Sequence, residues 1–428
     1  MSDAQYLEEE KEMMLNNPSK ILQQFTKWIS DLHWKKLLLI LPPMFLIVYI
    51  SFSSNISPFM YSGTTSGSLF PASFTKDELD RSRIAVCLVG GARRFELTGP
   101  SIIQKILKVY PNSDLFLHSP LDSKAYKLSL LKVAPRIAAV RIFRPQPIPE
   151  TESQVRVLTA QNSPNGIQGL LQYFNLVEGC LTMIQDYQKQ NNFTYDWIVR
   201  TRVDGYWSAK LAPDNFIPGH YLVPPGSSYG GLNDRFGVGD YNTSVVALSR
   251  LSMISQLDSA GYRLLNSETA FRAQLTTEQV PYQTMRLPFC VVTDRQYEYP
   301  PSHYGVPVAA LSSRGPLSGA KCRPCKPACT GSCIEQVMNG LDKGWSWTDW
   351  ANNSLELCDA HTEWESGWEK IFDGVAGKKL AAARTQIEGL ELDQCVNDFA
   401  EMKNKTAQWE APPGSEICSL GLLDSSRN

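Results

Sequence analysis

From residue 83 onward, apolar runs alternate with stretches of helical spacing. Residues 83–91 (RIAVCLVGG) form a continuous apolar run ending in Gly-Gly, the pattern of a strand buried on both faces. Residues 98–109 carry Ile102, Ile103, Ile106 and Leu107 at helical spacing, with Pro100 in the expected first turn. Residues 114–118 (DLFLH) and 136–143 (RIAAVRIF) read as two further strands. Between residues 168 and 189, Leu170, Leu171, Phe174, Val177, Leu181 and Ile184 line one face of a long helix. Residues 196–203 (DWIVRTRV) give a fourth strand, and 245–248 and 285–292 are later candidates. Helices are expected near 251–260 and 268–275. Strands alternating with helices predict an α/β fold, a mostly parallel sheet with helices on both faces.

The N-terminal part breaks this pattern. Residues 37–52 (LLLILPPMFLIVYISF) carry no charge, and the uncharged residues after them extend the run towards the roughly 17–25 needed to span a bilayer. Lys35 and Lys36 abut its N-terminal side, and no charge follows until Lys76. The run begins too late for an ordinary signal peptide and lacks an A-x-A site after it. The charge asymmetry keeps the N-terminus cytosolic. The expected organisation is a cytosolic tail (1–36), a transmembrane signal-anchor (37–56), a Ser/Gly/Pro-rich flexible stem (57–80), an α/β domain (81–314) and a Cys/Trp-rich C-terminal appendix (315–428). Asn55, Asn192, Asn242, Asn352 and Asn404 each begin an N-x-[ST] triplet beyond the anchor.

Composition adds exclusions more than chemistry. The 428 residues hold 41 Lys+Arg against 43 Asp+Glu, a formal net charge of −2, which leaves no basic footprint for nucleic acid. At 43% hydrophobic the chain is too apolar for disorder and too polar for many membrane spans. No G-x-S-x-G, Walker A or H-E-x-x-H sequence occurs. Seven of the ten cysteines follow residue 320. Cys322, Cys325, Cys329 and Cys333 have spacing that admits zinc in the cytosol, but in an oxidising compartment predicts disulfides, with Cys290 joining the cluster. Cys87, in a strand, and Cys180, on a helix, are expected as free buried thiols. The five histidines are scattered, and His118 reads as a core residue.

Four segments carry candidate chemistry. Gly90 and Gly91 end the first strand and allow close backbone approach, while Arg93 and Arg94 can pair a diphosphate; a tight turn with solvated arginines gives the same letters. In YDWIVRTRVDGYW (195–207), alternation puts Arg200, Arg202 and Asp204 on one side. Asp204 is a candidate ligand for Mn²⁺ or Mg²⁺, although Arg202 stands where a D-x-D pair would have its first carboxylate, and a structural Arg–Asp network is the alternative. In GGLNDRFGVGD (230–240), Asn233 and Asp234 suit sugar hydroxyls or a β-turn. Ser267 is a candidate N-cap and Glu268 a candidate base.

Together, GGARRFELTGPSI, RTRVDGYW, LNDRFGVGD, the Ser-Glu helix and the Cys-rich tail resemble plant type II Golgi membrane proteins of largely unassigned activity, in the GT-A-like branch of nucleotide-sugar glycosyltransferases with a reduced metal motif. The resemblance implies a GT-A-like fold and Golgi-lumenal transfer of a sugar from a nucleotide sugar to a glycan or glycoprotein. It implies Asp204 as metal or diphosphate ligand, and Asn233, Asp234 and Glu268 as donor or acceptor contacts. Asp234 and Glu268 are then the catalytic candidates. Gly90, Gly91, Arg93, Arg94, Arg200, Arg202 and Asn233 are the donor-binding ones. Two competing expectations are a non-catalytic lumenal scaffold and a sugar-phosphate transferase.

Overall fold

The computed structural model describes residues 74–161, 165–297, 307–341 and 354–423. The expected cytosolic tail, signal-anchor and most of the stem lie outside them. No helix among the described residues is long and apolar enough to cross a membrane.

The described chain opens with α1 (Lys76–Arg81), capped by Thr75 in a reciprocal box with Glu78. The last part of the expected stem is therefore helical. Then come β1 (Ile84–Val89), α2 (Phe95–Ile102), β2 (Ser113–Pro120), β3 (Ile137–Phe143), α3 (Glu152–Val157) and α4 (Gly166–Asn191). After these follow β4 (Trp197–Arg202), β5 (Gly205–Trp207), β6 (Tyr221–Val223), β7 (Phe236–Asp240), α5 (Tyr241–Leu248), α6 (Ile254–Ser259), α7 (Ser267–Thr277), β8 (Tyr282–Thr284) and β9 (Phe289–Val292). The C-terminal part supplies β10 (Ala309–Ala310), β11 (Lys321–Arg323), α8 (Ser332–Asn339), α9 (Trp368–Ala376), α10 (Lys378–Glu388), α11 (Leu392–Asn404), β12 (Thr406–Glu410) and α12 (Gly414–Leu422).

The main sheet has the order β12-β3-β2-β1-β4-β7-β6-β8. Pairing is parallel from β12 through β4 and between β6 and β8, and antiparallel where β7 meets β4 and β6. The period-two rule explains the layers. Ile84, Val86 and Leu88 face one core with α2, α11 and α12, whereas Ala85, Cys87 and Val89 face the other with α4. The expected α/β fold, mostly parallel with helices on both faces, is what forms. A smaller sheet, β10-β11-β9-β5, stands beside it.

Four local expectations differ from the structure. Residues 245–248 are the end of α5, because Asp240 caps a helix there by accepting from the Thr243 N–H. The helix expected from residue 98 begins at Phe95 and widens into a π turn over Ile103–Leu107. The last strand candidate shortens to Phe289–Val292. The N-cap of α7 is Asn266, boxed with Thr269, so Ser267 is released for another partner.

The boundary expected at residue 314 has no counterpart in the sheets. β11 completes the small sheet, β12 forms one edge of the large one, and Phe399, Met402 and Ile417 belong to its core. The Cys-rich part is woven into the fold. Its disulfides are Cys325–Cys358, Cys329–Cys333 and Cys395–Cys418, and Cys290–Cys322 links it to β9, as expected of Cys290. The free-thiol expectation for Cys87 and Cys180 is corrected: they form a disulfide joining β1 to α4. Its signal was hidden because each cysteine sits in an apolar stripe and reads there as a small hydrophobe.

His118 is a core residue, its Nδ1 at 2.8 Å from the Leu176 carbonyl and its ring against Phe143. Burial pushes its pKa down to about 4, against the pull of that carbonyl contact. An unfolded histidine protonates near 6.5, so stability is lost as pH falls from about 6.5 towards 4. A His118→Phe variant should flatten that limb of a urea-midpoint profile; an unchanged slope counts against it. The Cys87–Cys180 bridge spans 93 residues, and its Cys87→Ala, Cys180→Ala variant should lose about 2–5 kcal/mol. Thiol titration of the denatured, unreduced chain should find no free cysteine; two thiols would dismiss the bridge.

Candidate functional site

The order of strands reverses between β1 and β4: β1 leads to β2 and β3 on one side, and the chain then returns to β4 on the other. In open α/β sheets the crevice outside the carboxyl ends at such a switch point is where ligands bind. Two segments leave the sheet there, residues 90–94 after β1 and 202–204 after β4.

The first is a turn that its glycines require. Gly90 has φ +120°, and a Cβ on Gly91 would stand 2.6 Å from Asp122 Oδ2. Arg93 follows at φ 40°, a left-handed conformation for a bulky residue. Lys127 Nζ holds it there, donating to the Arg93 carbonyl at 2.9 Å while it pairs with buried Glu96 at 2.7 Å. The second segment is pinned along its backbone. Val203 N–H donates to the Val89 carbonyl at 3.0 Å, Thr98 Oγ1 to the Val203 carbonyl at 2.6 Å, and Val292 N–H to the Asp204 carbonyl at 2.9 Å.

These two segments meet at Asp204, which is 1% exposed. Arg202 grips its carboxylate bidentately, Nε to Oδ1 at 2.8 Å and Nη2 to Oδ2 at 2.7 Å. Arg93 Nη1 donates to Oδ2 at 2.6 Å. Burial opposes the negative charge, but Arg202 and then Arg93 overcome it and hold Asp204 well below the usual carboxylate range. Asp204 is buried, yet the Arg93 side chain is 50% exposed. The arrangement presents guanidinium N–H groups from a fixed anchor.

A second cluster adjoins it through Arg200, the next residue on the Arg202 face. Arg200 donates from Nη1 to the Asp234 carbonyl and from Nη2 to Tyr173 Oη on α4. Tyr173 Oη also donates to the Asp234 carbonyl at 3.1 Å. Ser267 Oγ, released from capping, donates to Asp234 Oδ2 at 2.5 Å. Burial resists ionisation of Asp234, and Arg200, Arg250 and the Ser267 hydroxyl keep its pKa low. Arg250 lies 3.6 Å over the Phe271 ring. Glu268 behaves oppositely: burial first, and then the charge of Asp234, push it up to about 8. Gly231 lets the 230–235 loop dock on this helix start, where Leu232 N–H donates to the Glu268 carbonyl at 3.1 Å; a Cβ on Gly231 would stand 1.9 Å from that oxygen.

Arg93, Arg202 and Asp204 are thus in direct contact, and Arg200, Asp234 and Ser267 are linked beside them. Arg94 and Asn233 are engaged elsewhere. Arg94 is turned towards the C-terminal region, 4.3 Å over Trp364 and 3.6 Å from Asp294 Oδ2. Asn233 fastens its own loop, donating to the Pro225 carbonyl at 3.0 Å and accepting from Arg235 N–H at 3.1 Å. Lys127, Glu96 and Tyr173 escaped the sequence reading. Tyr173 stands beside the apolar stripe of α4, and the Glu96–Lys127 pair joins residues in separate elements with no motif between them.

A divalent cation does not fit this donor set. Both Asp204 oxygens accept guanidinium N–H groups, and no cluster of three or more His, Cys, Asp or Glu able to hold a metal occurs among the described residues. The structure forms the Arg–Asp network that was the alternative reading of Asp204, with its carboxylate as an arginine anchor. The reason is local: Arg202, two residues earlier on the same side, reaches back to it.

Asp204→Ala should lower stability by on the order of 3 kcal/mol, because it leaves two guanidiniums without their counter-charge. Arg93→Ala, half exposed, should cost less than about 1 kcal/mol. The Asp204 contribution is full above the unfolded carboxylate pKa, near 3.9, and fades as pH falls below it. Urea midpoints measure both; equal losses for the two variants would dismiss Asp204 as the anchor.

No curated protein matches the chain. Among solved structures, it is similar to the crystal structure of mouse xyloside xylosyltransferase 1 in its apo form, with 13% identity and a TM-score of 0.31, over 48% of this chain and 84% of that one. At that score the likeness supports no inference about the site. A family described as a domain of unknown function, DUF7796, matches residues 79–424, which takes in both sheets and the Asp204 centre. The chain belongs to the DUF7796 family.

Proposed function

We propose that this protein is a nucleotide-sugar-dependent glycosyltransferase with a GT-A-like fold, acting on a glycan or glycoprotein acceptor in the Golgi lumen from a single-pass type II anchor. One observation carries the reading: the sheet's topological switch point holds two guanidiniums, one of them half exposed, on a buried carboxylate, a donor set suited to a diphosphate. The exposed sequon residues Asn192, Asn242 and Asn404 agree with a lumenal side.

In this reading the sugar's bond to the diphosphate oxygen breaks as the acceptor oxygen attacks. Arg93 and Arg202 take up the negative charge that develops on the leaving diphosphate. Their geometry is set before the reaction by Asp204, so no reorganisation is needed at the moment of transfer. Glu268 accepts the proton of the attacking hydroxyl. Its high pKa makes it a stronger base than an ordinary carboxylate once ionised. Asp234, kept ionised by Arg200, Arg250 and Ser267, orients the acceptor hydroxyls and raises Glu268. No step needs a cation at Asp204.

The test is a thermal-shift panel of UDP, GDP and CMP sugars on the full-length chain. A matching donor at 100 times its Kd should add about 2.7 kcal/mol of stability. The shift should survive EDTA and be lost in Arg93→Ala. With donor and acceptor found, kcat/KM should rise with pH through about 8, and Glu268→Gln should remove both most of the rate and that limb. No shift with any donor would favour a scaffold that kept the fold without the chemistry. Release of a nucleoside monophosphate would favour a sugar-phosphate transferase.

A further inference from the structure

The second sheet brings a cation to the same centre. Lys321 opens β11, which pairs with β9 in the register Lys321–Val291 and Cys322–Val292. Val292 is the residue whose N–H holds the Asp204 carbonyl, and the Cys290–Cys322 disulfide staples the two strands beside it. Lys321 is therefore fixed relative to Asp204 by backbone pairing and a covalent bond.

Its surroundings are strongly cationic. The charged groups acting on it are Arg235 from the loop before β7, Arg202 and Asp204 from the end of β4, and Arg295 after β9; its ammonium also lies 5.3 Å from the Tyr297 ring centroid. Arg235 is fixed beside it, donating to the Gly319 carbonyl, two residues before Lys321, at 2.6 Å. The only negative charge among these is Asp204, already saturated by Arg202 and Arg93. Arg235 is buried and Lys321 partly so, and cations gathered around one acid that is already paired cost stability unless an anion joins them.

We propose that Lys321 is an anion-binding residue of this cleft, pairing with a phosphate group that Arg93 and Arg202 engage from the main sheet. The inference rests on reading the cleft as a diphosphate site, and it adds a ligand from the region expected to be an appendix. Burial, and then Arg235, Arg202 and Arg295, bring the lysine's pKa down to about 7. A bound phosphate reverses that balance, so binding takes up a proton where the amine is neutral. Affinity then falls as pH rises above about 7.

Inorganic pyrophosphate is the probe, titrated calorimetrically into the full-length chain from pH 6 to 9, with wild type, Lys321→Met, Lys321→Arg and Arg93→Ala. Lys321→Met should weaken binding at least tenfold at pH 6.5. Lys321→Arg should bind as wild type at pH 6.5 and up to tenfold tighter than wild type at pH 8.5, because its charge does not titrate. Their ratio cancels the titration of pyrophosphate itself. If Lys321→Met fails to fold, the Lys321→Arg ratio decides alone. A Lys321→Arg ratio that is flat with pH, or full binding by Lys321→Met while Arg93→Ala binds weakly, would overturn the role of Lys321 and leave the cleft standing. No pyrophosphate binding by wild type at any pH would overturn the diphosphate reading and the Lys321 proposal together.

Discussion

A carboxylate buried to 1% exposure between two strand ends sets the terms for everything around it. Asp204 is kept ionised there by Arg202 first and Arg93 second, and Arg93 reaches it from the left-handed turn that follows Gly90. The turn in turn needs Lys127 and Glu96 beneath it. A single charge in the crevice thus dictates backbone conformation in β1's exit, the packing of α2 and the end of β4. Structures organised this way lose several contacts at once when one partner goes, because each is satisfied only by the others.

Why would a fold retain so expensive a group? A buried ion pair adds little net stability over apolar side chains of the same shape. What it does add is direction. The fork of Arg202 is fixed in the plane of the carboxylate, and Arg93 is aimed from across the crevice, so positive charge is held in place while part of it still faces water. The adjoining carboxylates show the same economy with opposite results. Asp234 is surrounded by Arg200, Arg250 and a hydroxyl and stays charged, and its charge is one reason Glu268 resists ionising. Two acids on neighbouring segments are separated in proton affinity by their surroundings alone.

Much of this was legible in the letters. Continuous apolar runs ending in Gly-Gly or R-x-R-x-D located β1 and β4, and period-two alternation placed Arg200 with Arg202. What alternation could not show was that Arg202 would turn onto Asp204, since that depends on side-chain reach and not on position along a strand. Asn233 and Ser267 show the same limit: one closes its own loop and the other is freed by Asn266, choices made by competing local hydrogen bonds. The change in composition near residue 315 suggested a separate unit. It marks only where disulfides replace apolar bulk, and the strands on its far side complete sheets begun more than a hundred residues earlier.

The edge strand β12 joins segments far apart in the chain. It lies parallel to β3, and Glu410 meets Arg141 across 269 residues of sequence. At about 5–20 residues per second of synthesis, β3 waits on the order of 10–50 s for this neighbour. Through that interval its apolar edge is open to other chains, and the face later covered by α11 and α12 is bare. Closure of the main sheet therefore waits on residues 406–410, and a stop codon before them would leave β3 as an open edge.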